Sequence, residues 1–459
     1  MVLDELSGNL VGLLVTYVDD ILYLGEIHIV NALHAFVLEK WPASALEWVN
    51  DKVAFRYLGV EILREPQSGS FSISQAAYIA DLLRAHNLHD THSTLLPVPR
   101  EWIEVVEAEL DAVEADIDDE TLRSAQRAVG EALWLATKSR PDILFVVNHM
   151  SSVVSKQPSH VLRVSQRLLS YLAGTCSMKL LLGPRSEATG EAVCFTDASY
   201  APFGRRSFGA AVVTVEGSAV AWKAGRQSFV TLSVMEAELY AATQGCVLLE
   251  SVFSVLDEIY PGRYKRVLAI DNTSAASMCS GGPGSQRTRH LKIRAAFIRE
   301  AVSEGRLEVR HTPGDLQLAD LATKLQPRLR LWRLLSLWGF VGDRITEILN
   351  AFKARLLSVV VVLSSLLVPA TGVKTGEKKS PLPATGWEEL AFLLVLTCVA
   401  VIGVWEASKA MFRSYRRWVK GSRKFRKLKR VSDIASEAAK KEEARWVDAA
   451  LGAPRDDDH

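Results

Sequence analysis

Ala192–Ser199 reads AVCFTDAS, an apolar run that ends on an acid. It predicts a strand whose end carries Asp197. FGAAVVTV (208–215) and AVAWKA (219–224) follow, flanking Glu216-Gly217-Ser218 as a hairpin. Ser233 three residues before Glu236 is a capping box that opens a helix. Its apolar stripe is Leu239, Ala242, Cys246, Leu249, Phe253 and Leu256. RVLAID (266–271) is a buried-type strand ending on Asp271, and RLEVRH (306–311) is a last strand. After the Pro313-Gly314-Asp315 turn, LQLADLATK (316–324) is a short helix carrying Asp320. The order strand, strand, strand, helix, strand, helix, strand, helix implies an α/β (α+β) unit, a mixed sheet with flanking helices over about 190–326.

Upstream, TYVDDILYLG (16–25) reads as a hairpin with Asp19 and Asp20 at its tip. FRYLGVEILREPQSGSFSISQ (55–75) reads as a strand pair turning at 66–69, and 75–88 has helical periodicity. Residues 100–120 are acidic and read as a surface excursion, whereas from Thr121 the chain reads as a helical block. GPRSEATGE (183–191) has the small, polar composition of a linker.

A chain of 459 residues accommodates two or three domains, and its apolar (48%) and charged (23%) fractions are those of a globular protein. The five cysteines are far apart and form no CxxC pair, which excludes a cysteine zinc site and a disulfide framework and fits a reducing compartment. The acidic start, MVLDELSG, lacks the positive charge of a secretory leader, so an intracellular location is expected.

Asp197, Glu238, Asp271 and Asp320 stand at element ends that a mixed sheet can bring together. Four carboxylates in one pocket would raise one another's pKa unless cations neutralised them. With two Mg2+ ions such a set suits phosphodiester hydrolysis. Taken singly, each acid is better explained as a turn or solvent-facing residue, and spacing alone does not show that the four converge.

TDAS, SVMEAELYAA (233–242), AIDNTSAA (269–276) and HTPGDLQLADLATK (311–324) together resemble the ribonuclease H domain of copia-type long-terminal-repeat retrotransposons. TYVDD, FRYLGVEI, AVGEALWLATKSRPDILFVVNHMSS (128–152) and LLSYLAGT (168–175) resemble the same family's reverse transcriptase palm and the region after it. The resemblance runs in family order from about residue 10 to 326. It implies that Asp197, Glu238, Asp271 and Asp320 hold two Mg2+ or Mn2+ ions and cut the RNA strand of an RNA–DNA hybrid. His311 would assist proton transfer or product release. Arg287, His290 and Arg294 match a motif for which phosphate contact is the natural role. Asp19 and Asp20 would be a remnant of the polymerase metal site. Only sixteen residues precede Tyr17, so the fingers and third acid of a polymerase are missing from this sequence and polymerase activity is not expected. The alternative is an inert or co-opted relic that binds nucleic acid or a membrane.

The resulting domain plan is a partial palm (1–65), a thumb- or connection-like region (66–185), the ribonuclease H domain (190–326), an amphipathic helical linker (327–355), a transmembrane hairpin (356–405) and a basic tail (406–459). Leu356–Val373 and Leu390–Trp405 are uncharged runs near the length that spans a bilayer. Membrane insertion with both ends cytosolic follows from the basic flanks. Lys409–Arg430 carries eleven Lys or Arg and no acid, which suits anionic lipid headgroups.

Overall fold

The computed structural model describes residues 2–3 and 10–351, except 67, 89–91, 104–112, 115–116, 184–188, 203–205 and 282–288. Both apolar C-terminal segments, the basic run and Arg287 lie outside the described residues, as does the side chain of His290. Met1–Asn350 forms one compact unit.

Strands β1 (Val2–Leu3), β2 (Leu10–Tyr17) and β3 (Asp20–Gly25) make a small antiparallel sheet, followed by helix α1 (Ile27–Lys40). Tyr17 pairs with Asp20, which leaves Val18 and Asp19 as the two-residue turn. Next come β4 (Phe55–Tyr57), β5 (Val60–Arg64), β6 (Phe71–Ser74) and α2 (Ala76–Ala85). FRYLGVEI is thus a hairpin in itself, with Leu58 at φ 50° and Gly59 at φ 74°. Two positive φ angles are what a two-residue type I′ turn requires, and Leu at the first of them hides the turn from a composition reading.

The helical block is α3 (Asp119–Lys138), α4 (Leu144–Val153) and α5 (Pro158–Gly174), followed by β7 (Lys179–Leu182). In the SRPDI turn between α3 and α4, the fully buried Arg140 forks onto Asp142 (2.9 and 2.8 Å). The same guanidinium donates to the Thr175 carbonyl and hydroxyl, and the Tyr171 hydroxyl donates to Asp142 at 2.8 Å.

The second half contains β8 (Glu191–Ser199), β9 (Phe208–Val215), β10 (Ser218–Arg226), α6 (Val234–Ile259), β11 (Lys265–Ile270), α7 (Thr273–Cys279), α8 (Arg289–Ser303), β12 (Glu308–His311) and α9 (Asp320–Thr323). After these come α10 (Arg328–Trp338) and β13 (Phe340–Val341). The sheet order is β10-β9-β8-β11-β12, antiparallel from β10 to β8 and parallel from β8 to β12, as the alternation of elements implied. Ala192, Cys194, Ala211 and Val213 on one face meet Leu239, Ala242, Cys246 and Leu249 of α6. Gly245 permits the close approach, because a Cβ there would overlap Thr196 and press on Cys194 Sγ. Among the described residues α6 alone is long and apolar enough to cross a membrane, and here it is the helix that covers this sheet.

The opposite face of the sheet redraws the domain plan. Ala210, Val212 and Ala219 belong to one core with Ile143, Phe145 and Leu168 of the upstream block and Trp332 and Trp338 of α10. Trp222 Nε1 donates to the Ala136 carbonyl at 2.9 Å, and Trp338 Nε1 to the Leu318 carbonyl at 3.0 Å. Segment 327–355, read as a linker, instead supplies buried Leu331, Trp332, Leu334, Leu335 and Trp338. Its apolar residues are too many for one stripe, and both Trp rings need a dry partner. The boundary at 65/66 likewise cuts a five-stranded antiparallel sheet, β13-β7-β6-β5-β4. The excursion at 100–120 begins in the core, with Ile103 buried.

Candidate metal centre

Parallel pairing assembles the acids. Ile270 lies beside Thr196, so one residue further along the two neighbouring strands Asp271 comes next to Asp197. Carboxyl ends of adjacent parallel strands are where open α/β sheets gather functional groups. Glu238 arrives from α6, whose start is held by Ser233 Oγ accepting from the Glu236 amide at 3.1 Å. The Glu236 carboxylate accepts from the Leu232 amide at 2.8 Å, so Glu236 serves the cap and Glu238 faces the sheet. Asp320 opens α9. One carboxylate oxygen from each of Asp197, Asp271 and Asp320 lies within 4.8 Å of the others, and among the described residues this is the one group of three or more such ligands. Asp19 and Asp20 sit exposed on their hairpin with no third acid among the described residues.

Burial dominates the electrostatics. Asp197, Glu238 and Asp320 are 2%, 5% and 8% exposed. Burial, then the charges of Asp197 and Asp271, push the Glu238 carboxyl up to about 9, against the Lys324 charge and a hydrogen bond from the Ala198 backbone. Its Oε2 is buried with no hydrogen-bond partner among the described residues. Burial and Asp197 raise Asp271 to about 6. Asp320 is raised by burial and Asp197, opposed by Lys324 and Arg330.

Several residues that the sequence reading passed over complete the site. Thr323 Oγ1 donates to Asp197 Oδ2. Lys324 Nζ stands 2.7 Å from Asp320 Oδ1 and 3.3 Å from Asp197 Oδ2. Burial works against the Lys324 charge, but the two aspartates outweigh it and raise its pKa. Arg330 of α10 reaches Asp320 Oδ2 at 3.2 Å and donates to the Gly314 and Asp315 carbonyls. Gln317 Nε2 donates to the Thr196 carbonyl (3.0 Å) and Gln326 Nε2 to that of Asp320 (2.7 Å). The i,i+4 spacing of Asp320 and Lys324 was the available signal. His311, at the end of β12, donates Nε2–H to the Asp271 carbonyl at 3.1 Å, so it borders the cluster. Arg294 is placed apart from the acids, its guanidinium over the Phe229 ring at 4.0 Å and its Nε 4.0 Å from Glu236 Oε1.

A pH signature follows from Glu238 and Asp271. Both bind their protons more tightly folded than unfolded, so their stabilising contribution is complete at low pH. It disappears as pH rises through about 6 for Asp271 and about 9 for Glu238. In chelator, melting temperature is expected to fall between about pH 5 and about pH 9, and Mg2+ should flatten the slope by replacing protons. Glu238→Gln should flatten the upper part of the same curve. A profile in chelator that does not change with pH would contradict the assignment.

No family model matches the chain. It is 26% identical over 335 residues to the retrovirus-related Pol polyprotein from transposon TNT 1-94 of Nicotiana tabacum, across 70% of this chain and 24% of that protein. It is 29% identical over 328 residues to the Pol polyprotein from transposon RE1 of Arabidopsis thaliana, across 69% and 21%. Over 233 residues it is 24% identical to the Ty1-DR5 Gag-Pol polyprotein of Saccharomyces cerevisiae, across 49% and 13%. The chain therefore spans about a quarter or less of the length of these relatives. Among solved structures, LC11-RNase H1 in complex with an RNA/DNA hybrid matches 28% of this chain and 88% of its own, at 17% identity and a TM-score of 0.23. The foamy viral protease-reverse transcriptase in complex with double-stranded DNA matches 68% and 56%, at 14% identity and a TM-score of 0.35. By sequence the chain is similar to the Pol polyproteins of these plant and yeast transposons over a minor part of their length.

Proposed function

We propose that the acid cluster carries ribonuclease H-type activity, the metal-dependent hydrolysis of the RNA strand of an RNA–DNA hybrid. The observation behind this reading is the convergence of Asp197, Asp271 and Asp320 within 4.8 Å beside a buried Glu238 whose Oε2 has no partner among the described residues. Hard cations take carboxylate oxygens, so the donor set fits Mg2+ or Mn2+, with these four acids as ligands. Divalent ions bound there supply a low pKa to the attacking water and neutralise charge at the transferred phosphoryl group.

The chain's own residues orient and protect that chemistry. Thr323 fixes the Asp197 carboxylate, and Arg330 ties Asp320 to the Gly314–Asp315 turn, which sets the position of the following helix. His311, exposed beside Asp271, would assist proton transfer or product release. Arg294 has five N–H donors and can keep its pairing with Glu236 while contacting a hybrid phosphate. Discrimination against duplex DNA would rest on the 2′-hydroxyls of the RNA strand. No polymerase role is assigned to Asp19 and Asp20.

The test is incubation of the full chain with an end-labelled RNA–DNA hybrid, duplex DNA and single-stranded RNA, in Mg2+, in Mn2+ and in chelator. Cleavage confined to the hybrid and dependent on the metal is expected. An intact hybrid in both metals, or equal cutting of single-stranded RNA, would overturn the reading.

A further inference from the structure

Two basic side chains reach into the acid cluster, and they differ in how they are held. Arg330 is 18% exposed in its side chain and is anchored on two backbone carbonyls as well as on Asp320, so it is part of the frame. Among the described residues the Lys324 ammonium pairs with carboxylates, those of Asp197 and Asp320. Its side chain is 43% exposed, against 2% and 12% for the two aspartates it bridges. The ammonium therefore comes in from the open side of the pocket on a flexible four-carbon stem.

A divalent ion held by Asp197 and Asp320 would draw on the carboxylates that the ammonium now contacts. Mg2+ binds oxygen at about 2.0–2.1 Å, and an ammonium in contact with the same oxygens would face it across a distance at which two cations repel strongly. Single occupancy is the consequence. The open approach of the stem gives Lys324 somewhere to go, which Arg330 lacks.

We propose that Lys324 is an internal counter-cation that competes with a divalent ion for the Asp197–Asp320 pair, so that metal loading is an exchange of one cation for another. This rests on the reading of the cluster as a metal site. Lys324 lowers the metal affinity that the acids would have alone, and it holds the cluster together when the metal is scarce. It also sets a threshold, since the site fills only where the ion concentration is high enough to displace a tethered competitor.

The experiment is Mn2+ titration of the full chain by calorimetry, comparing the wild type with Lys324→Met, Lys324→Arg and Asp197→Asn. Lys324→Met is expected to bind Mn2+ about tenfold or more tightly, Lys324→Arg to remain near wild type, and Asp197→Asn to lose the site. Melting temperatures give a second readout. Lys324→Met should melt below wild type in chelator yet gain more from Mn2+. Equal or weaker binding by Lys324→Met, or an equal gain from Mn2+, would overturn the exchange while leaving the metal site in place. A wild type with no Mn2+ binding sensitive to Asp197→Asn would overturn the metal site itself, and the exchange with it.

Discussion

Asp197→Asn should reduce hybrid cleavage by on the order of 10³-fold or more, about 4 kcal/mol of lost transition-state stabilisation. The substitution preserves shape and removes charge at an acid on the central strand of the cluster. Asp197 lies on the central strand β8, lies within 4.8 Å of Asp271 and Asp320, takes the Thr323 hydroxyl and faces Lys324. Its charge also raises Glu238, Asp271 and Asp320. Neutralising it relieves repulsion among the remaining carboxylates, so the variant should melt no lower than wild type in chelator. The combination separates a catalytic loss from a folding loss. Activity within tenfold of wild type would remove Asp197 from the chemistry. A large drop in melting temperature would make the activity loss uninformative, and Glu238→Gln would then serve as the second neutralising variant.

Arg140→Ala is expected to cost roughly 3–5 kcal/mol, because it leaves Asp142 charged and buried without its partner. Melting temperature should fall by on the order of 10 °C. Arg140 is 1% exposed, makes two bonds to Asp142 and two to Thr175, and lies over the Tyr171 ring at 5.5 Å. The network joins the α3–α4 turn to the end of α5, so its loss frees two helix ends at once. Replacing both charges, Arg140→Met with Asp142→Leu, should recover much of the deficit, since no unpaired ion remains. Tyr171→Phe removes one hydroxyl donor and should cost about 1–3 kcal/mol. Thermal unfolding of the four proteins checks the order. Arg140→Ala melting with wild type would show that water or another group reaches Asp142.

The second half of the fold was legible because its signals are local. AVCFTDAS and RVLAID carry continuous apolar runs, Ser233 and Glu236 mark a helix start, and Glu216-Gly217 marks a hairpin turn with both φ angles positive. The acids could be picked out by their place at element ends, and parallel pairing of β8 with β11 then brings Asp197 and Asp271 side by side. What could not be read locally is who covers the other face of the sheet. Ala210, Val212 and Ala219 look the same in sequence whether a helix or solvent lies above them, and most of the partners come from before residue 183 and after 317. Lys324 was hidden for a related reason. A lysine after a short helix reads as solvated surface, and only the folded position of Asp197 turns it into a ligand of two carboxylates.

The strand pairing of Phe340–Val341 with Lys179–Leu180 has a consequence for how the protein is made. The acid-bearing sheet is synthesised between these two segments, yet the core beneath it closes only after Trp332 and Trp338 have left the ribosome. Until then the nascent chain must hold an apolar sheet face open, the condition in which chains of this size form kinetic traps. Premature termination shortly after Asp320 would release a polypeptide with all four clustered acids translated and the sheet that carries two of them half-covered, a substrate for proteolysis.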